Sequence, residues 1–445
     1  MDLLQEFINK LKSDCNDDLE NFDIDKARRI ISDINEFLYT TDYSLGTVFY
    51  FGNDMPYLSK FHKYWEENHK AILNLKVNEE QCEKIADALH EVYSRTNGRA
   101  FSEVWNTYGL TSDNVCRIRL LTANQDFRGS RDFGDLVEIY NDDPTIFDEN
   151  YIYNNPDDFL KCIKLSNLSQ NDKRISYAKN ISKFLIDHNS SPVDIIHKFN
   201  NDLFEFRTAL INCNSAGYGN KKADMFIRDM VVLGIWNNCS NFEKIDVASD
   251  RNTIKVALRT GILQSDIPLL SSFLDIFCYQ YSYVDEMNAA AWRRVWEIWK
   301  RKYQNETIDS PCLLDYFIYM IIGKEMCKEN LHTFKCDLGH EFKWHSARNK
   351  TCQICYKKNK IKTPATKIKT VMACTDIDQS VAIKNTDFYK SGIANPNYDK
   401  CPFSDVCNNY NKKDLDSPKS ISILGQTGWN TAYSKQGSGG GGLMS

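Results

Sequence analysis

The sequence predicts an all-α protein with a small Cys/His metal-binding module toward its C-terminal end. Three observations carry that prediction. Apolar residues recur at i, i+3, i+4 and i+7 along most of the chain as far as residue 325, the signature of helices with one buried face. Alternating apolar and polar runs, which would mark half-buried strands, are nearly missing. The 15 cysteines fall singly up to Cys312 and crowd together from Cys327 onward, a distribution that suggests metal in the later segment.

The totals agree with a folded chain. At 445 residues, 42% hydrophobic and 26% charged, the composition is that of an ordinary soluble globular protein with room for two or three domains. No window approaches eighteen apolar residues, so a membrane span is not expected. The start, "MDLLQEFINKLKSDCNDDLENF", is amphipathic and acidic, the wrong character for a secretion signal, and a cytosolic compartment is the expectation. An odd cysteine count in a chain of this size argues against a disulfide framework. A net charge of −5 excludes a protein that coats nucleic acid by bulk electrostatics. It leaves room for a local basic surface. Glu341 to Thr370 carries nine Lys or Arg and one acidic residue.

Residues 1–150 read as a helical N-terminal region: "ARRIISDINEFLYTT" and "EEQCEKIADALHEVYSRT" are periodic, and "FRGSRDFGDLVEIYNDDPTIFDEN" reads as a loop, a short helix and a Pro-marked stop. Residues 151–326 form a helical core, from "PDDFLKCIKLS" and "RISYAKNISKFLIDH" through "SPVDIIHKFNNDLFEFRTALINC" to "SPCLLDYFIYMIIGKEMC". "SSPVD" and "DSPCLLD" each place a capping residue and Pro at a helix start. Residues 327–415 form the basic Cys/His module, followed from about residue 370 by irregular structure with a small strand pair. Residues 416–445, ending "KQGSGGGGLMS", read as a flexible tail.

The core contains one unusual turn. "DLFEFRTALINC" and "KKADMFIRDMVVLG" are helices, and "NSAGYGNK" between them is a tight turn. Ala223, Phe226, Ile227, Met230 and Val231 share the apolar face of the second helix, which leaves Arg228 and Asp229 as an expected surface pair. Gly217 and Gly219 allow positive φ and close approach of another backbone. Amides at the following helix N-terminus favour an anion, so the turn can hold one phosphate without a basic patch. Twenty-five residues after Lys221, "KIDVASDRNTIKVALRTGIL" places Asp246 ahead of a new amphipathic helix, whose start it is expected to cap.

"GYGNKKA" followed by "IDVASDR" resembles the helix-hairpin-helix DNA glycosylase superfamily, of the endonuclease III and 8-oxoguanine DNA glycosylase type, over about 160 to 325. "KKAD" is most similar to the bifunctional members. The resemblance implies a helix-hairpin-helix core, Lys221 as nucleophile and Asp246 as catalytic aspartate, with Gly217, Tyr218, Gly219 and Lys222 on double-stranded DNA. Ser215-Ala216 stands where the family has Leu-Pro, Ala248 where it often has histidine, and the lysine-to-aspartate spacing is longer. The implied reaction flips a damaged or modified base out of the stack and displaces it with the lysine amine. Such chemistry serves repair, defence against foreign modified DNA, or nucleoside salvage. The alternatives are a glycosylase acting on RNA or a modified nucleoside, and a non-catalytic nucleic-acid binder.

In the module, Cys336, His340, Cys352 and Cys355 form a C-x3-H-x11-C-x2-C set suited to tetrahedral zinc, and "GHEF" before a C-x2-C is similar to treble-clef or zinc-ribbon modules. An alternative is a four-cysteine 4Fe-4S cluster from Cys327, Cys336, Cys352 and Cys355, as many endonuclease III relatives carry after the core, though their spacing is absent here. Cys374, Cys401 and Cys407 offer ligands for a second metal. The basic run "KKNKIKTPATKIK" reads as a phosphate-gripping appendage or a solvated loop, and Trp344 and His345 as groups that could stack on a base.

Overall fold

The protein was analysed as a computed structural model, which describes residues 3–15, 21–40, 56–102, 106–126, 131–166, 170–267, 281–344, 351–374 and 401–407. The chain is mostly helical, as the periodicity predicts. Its α-helices are α1 (Leu3–Cys15), α2 (Ile24–Thr40), α3 (Pro56–Leu73), α4 (Glu79–Thr96), α5 (Ser112–Thr122), α6 (Phe133–Asp142), α7 (Glu149–Asn154), α8 (Pro156–Cys162), α9 (Asn171–Asp187), α10 (Leu203–Asn212), α11 (Asn220–Val232), α12 (Arg251–Thr260), α13 (Tyr281–Tyr303) and α14 (Gln353–Asn359). A π-helix covers Tyr316–Met326. No described helix is long and apolar enough to cross a membrane. The C-terminal tail and most of "IPLLSSFLDIFCYQY" lie outside the described residues.

Two compact units divide the chain. One comprises Met1–Val92, Arg251–Trp299 and Ile318–Met444. There β1 (Lys76–Val77) pairs antiparallel with β2 (Leu263–Gln264), and the buried Gln81 amide donates to the Thr260 carbonyl at 2.8 Å. Trp65, Trp292 and Trp299 are among its largest fully buried side chains. Its C-terminal segment departs from an all-helical reading. β3 (Cys327–Cys336), β4 (Glu341–Trp344) and β5 (Ala365–Cys374) form an antiparallel sheet of order β4-β3-β5. Strand structure therefore flanks the Cys/His set, and most of the segment after residue 370 in which a strand pair was expected lies outside the described residues. Thr333, Phe334 and Val371 are among the strand formers there.

The other unit comprises Tyr93–Asp250 and Lys300–Phe317. Aromatic packing fills it: Phe206 and Phe226 both meet the Trp236 ring edge-on, with centroids 5.1 and 5.4 Å apart. "SPVDIIHKFNNDLFEF" is not one continuous helix. Asn200 and Asn201 adopt positive φ (54° and 58°), ending a short 3-10 segment before α10. Asp202 then caps α10, accepting from the Phe204 and Glu205 amides at 2.9 and 3.0 Å.

The pair expected at the surface is buried. Arg228 donates through Nε and Nη2 to Asp229 Oδ1 at 3.0 and 2.7 Å, and Arg119 Nη2 reaches Asp229 Oδ2 at 2.9 Å. The Tyr316 hydroxyl adds a donor at 3.1 Å, and the Arg228 guanidinium lies 4.3 Å from the centroid of the Tyr316 ring. Arg228 also holds Asp315 through Nη1. Burial works against the Arg228 charge, yet Asp229, Tyr316 and Asp315 outweigh it and keep the group firmly protonated. Helical periodicity assigns polar residues to solvent. Here they face partners from other elements, which the pattern cannot reveal. Removing one member strands the others: Asp229→Ala should cost about 3–5 kcal/mol in denaturant unfolding, because two buried guanidinium groups lose their carboxylate.

Candidate active site and metal centre

The turn between α10 and α11 uses its two glycines differently. Gly217 has φ +77°, and a Cβ there would lie 2.5 Å from Cδ2 of Tyr177, so both backbone and packing demand glycine. Gly219 is extended at φ −108°, ψ −175° and precedes α11, and a Cβ on it would meet nothing within 4 Å. No side chain caps α11 among the described residues, so its first amides remain available as donors at an exposed surface. Tyr218, expected to face DNA, instead turns inward. Its hydroxyl donates to the Leu120 carbonyl at 2.6 Å, and burial pushes its phenol well above the ordinary range.

The adjacent lysines part company in the same way. Lys222 Nζ donates to the Asn124 carbonyl at 2.7 Å, and burial, which outweighs the pull of Asp126, brings its ammonium down to about 8. Lys221 is half-buried, and no hydrogen bond or ion pair holds its Nζ among the described residues. Three residues after Lys221, Asp224 is buried and gripped by Arg207 through two bonds, one of 2.9 Å from Nη2. The "KKAD" stretch thus leaves one half-buried amine without a hydrogen-bond or ion-pair partner among the described residues, ties the next to a backbone carbonyl, and buries a carboxylate.

Asp246 is half-buried, and its charge is felt at Arg207. It does not cap α12. That helix begins at Arg251, so Asp250 immediately precedes it, with Asp246 four residues upstream in irregular chain. Sequence reasoning passed over Asp250, although "SDR" directly before the periodic residues is an N-terminal signal. It also passed over Asp315. The only trace of that residue was a single acid inside the apolar run "CLLDYFIYMII". Asp315 is buried, with Oδ2 bound by Arg228 and Oδ1 unpartnered among the described residues. Burial raises its carboxyl to about 6, Asp250 adds to the rise, and Arg228 and Lys221 oppose it. Lys221, Asp250 and Asp315 therefore share one electrostatic neighbourhood.

The four predicted ligands of the C-terminal module come together. Cys336, His340, Cys352 and Cys355 offer ligand atoms that all lie within 4.8 Å of one another. His340 Nδ1 stands 3.6 Å from Cys336 Sγ and 3.3 Å from Cys355 Sγ. Metal bonds of roughly 2.0–2.3 Å in a tetrahedron separate ligand atoms by about 3.5–3.8 Å, so the group could hold a metal ion. Local structure builds it. Gly339, at φ +80°, closes the turn between β3 and β4, with its amide 2.8 Å from the Cys336 carbonyl. Cys352 caps α14, its sulfur accepting from the Cys355 amide at 3.4 Å. Phe334 and Phe342 stack beneath at 5.5 Å. Burial opposes the Cys336 thiolate, but the His340 and Leu338 amides outweigh it and bring the thiol down to about 7.

Cys327, the remaining cysteine of the iron–sulfur alternative, is outside this group and receives a hydrogen bond from Arg259 Nη1 at 3.1 Å. No second ligand group is found among the described residues, and Cys407 donates to the Arg259 carbonyl instead. Lys358, Lys360 and Lys362 of the basic run are exposed, while His345 lies outside the described residues. No protein-family model matches the chain, and a search of curated proteins finds no match.

Two outcomes test this geometry. Gly217→Ala should destabilise the fold by about 1–3 kcal/mol, whereas Gly219→Ala should stay within about 0.5 kcal/mol, as thermal or denaturant melts will show. The chain should bind about one divalent metal ion through the Cys/His group. Elemental analysis of Cys355→Ser should show that ion lost, and an unchanged metal content would remove the assignment.

Proposed function

We propose that the protein is a DNA glycosylase, of bifunctional lyase type, which takes a damaged or modified base out of double-stranded DNA and displaces it with the Lys221 amine. The observation that carries this reading is the division of labour at the head of α11. Gly219 leaves a bare extended backbone at an uncapped helix start, and Lys221 stands beside it with no internal hydrogen-bond or ion-pair partner among the described residues. Neither residue type is required there by the packing of the chain itself. Both suit a ligand that brings a phosphate to the amides and an electrophilic carbon to the amine.

In this reaction the Lys221 nitrogen gives its lone pair to C1′ of the flipped nucleotide. The bond from C1′ to the base breaks, and the base leaves with that electron pair. One proton of the attached nitrogen passes to the base, so charge and protons balance. A nearby carboxylate stabilises positive charge developing on the sugar. The family pattern assigns this role to Asp246; the position of Asp250 at the start of α12, and its influence on Asp315 alongside Lys221, favours Asp250 for the same role. Zinc suits the Cys3His group, where it closes a structural module whose exposed lysines add contacts to the phosphate backbone.

The test is borohydride trapping on duplexes bearing a panel of damaged and modified bases. A covalent adduct is expected with the wild type and with Lys222→Gln, and none with Lys221→Gln. Asp250→Asn and Asp246→Asn, compared at saturating duplex, identify which carboxylate speeds base loss, with a fall on the order of 10²-fold expected for Asp250. Binding without an adduct in any form, equal in Lys221→Gln, would replace the enzyme with a non-catalytic binder. Activity confined to RNA or nucleosides would retain the chemistry and change the substrate.

A further inference from the structure

The Cys/His module keeps apolar side chains on its surface. Its own core is closed by Phe334, Phe342, Cys336, Cys352 and Cys355, with Ile354 and Ala365 packed against it. Tyr356 and Ile361 are left outside, 41% and 52% exposed. Seven large apolar side chains are exposed among the described residues, and four of them fall between Leu338 and Ile368. Such residues are ordinary when scattered singly, but their concentration in one small module marks a contact surface.

Two of the four sit at the end of α14. Tyr356 and Lys360 are one helical turn apart, and the Lys360 ammonium lies 5.4 Å from the centroid of the Tyr356 ring. Lys360 ends the helix in a left-handed conformation at φ 56°, its amide 3.0 Å from the Tyr356 carbonyl. The chain then returns toward the start of α14, where the Cys352 amide meets the Thr363 carbonyl at 2.7 Å. That return holds Ile361 and Lys362 beside the helix. Lys358 and Lys362 are exposed, and no hydrogen bond or ion pair engages their amines among the described residues.

The charge around this surface calls for an anion. Cys327 to Cys374 carries 11 Lys or Arg and three acids, within a chain of net charge −5. Phosphates alone would be served by lysines, with no use for Tyr356 and Ile361. In a paired duplex the faces of the bases are stacked away from such side chains. In a single strand those faces are open, and an aromatic ring can stack on any of them while lysines follow the backbone. A membrane surface would call for one continuous apolar face, whereas here lysines interrupt the apolar residues in "YKKNKIK".

We propose that the end of α14 binds an unpaired stretch of a DNA strand. A base stacks on Tyr356, Ile361 adds a second apolar contact, and Lys358, Lys360 and Lys362 hold the flanking phosphates. The choice of DNA rests on the function proposed above, while the contact itself does not depend on Lys221.

The experiment is fluorescence anisotropy of the full chain with a single-stranded oligothymidylate, beside a fully paired undamaged duplex of the same length, over a series of salt concentrations. Tyr356→Ala should weaken single-strand binding about 10-fold and duplex binding by less than about 2-fold, and Tyr356→Phe should bind as the wild type does. Ile361→Ser should also weaken the single strand, which keeps the test open should Tyr356→Ala fail to fold. Replacing Lys358, Lys360 and Lys362 together by Ser should flatten the slope of log K against log salt by about 2, a slope that Tyr356→Ala leaves unchanged. Single-strand binding that survives both Tyr356→Ala and Ile361→Ser overturns the inference, as does an equal loss on the duplex. Binding to phosphatidylserine–phosphatidylcholine vesicles in place of the oligonucleotide overturns it in favour of a membrane surface. Absence of a borohydride adduct, with Tyr356-dependent strand binding intact, removes the glycosylase reading and leaves this contact standing.

Discussion

The burial of Asp229 fixes the rotation of α11, and the site depends on that rotation. Asp229 receives Arg119, Arg228 and the Tyr316 hydroxyl, so the helix cannot turn about its axis without stranding charges in the core. Lys222 lies one heptad before Asp229 and goes inward with it, where the Asn124 carbonyl receives its ammonium. Lys221 lies one heptad before Arg228, whose guanidinium holds Asp315. An interaction two turns from the turn thus sends Lys222, and not Lys221, to the Asn124 carbonyl. A pair of lysines opens a core-facing helix because they serve different sides of it.

The turn that precedes α11 is built on the same economy. Gly217 is a glycine for the protein's own sake, pressed on Tyr177 in a left-handed conformation. Gly219 has space around it and an ordinary extended backbone, so neither conformation nor packing calls for glycine there. Tyr218 between them pins the turn from below through the Leu120 carbonyl. An uncapped helix start beside an amine with no partner among the described residues adds little to stability, and under the proposed function it suits a phosphate and a sugar carbon. The acidic net charge is no obstacle, because a single phosphate held by amides needs no basic field.

Much of this was legible in the sequence, and the exceptions share a cause. Periodicity located the helices, the glycines located the turn, and spacing alone selected Cys336, His340, Cys352 and Cys355, which the fold gathers. The cysteine set could be read because ligands from two short knuckles are local in sequence. Arg228 and Asp229 were misplaced because their partners Arg119, Asp315 and Tyr316 come from distant elements, and a helical wheel has no knowledge of them. Asp246 was expected at the start of the next helix because an aspartate before valine matched a motif, whereas α12 begins five residues later, at Arg251. The sheet around the metal group was missed because its strands are basic and interrupted by register shifts, so no clean alternation marks them.

The central claim is that the Lys221 amine at the head of α11 is the reacting group. Peptide mapping of the borohydride-trapped protein–DNA adduct by mass spectrometry tests it most directly. The account predicts that the sugar remnant is attached to Lys221, with Lys222 unmodified in the same peptide. Attachment at Lys222, or at a lysine of the C-terminal module, would contradict it.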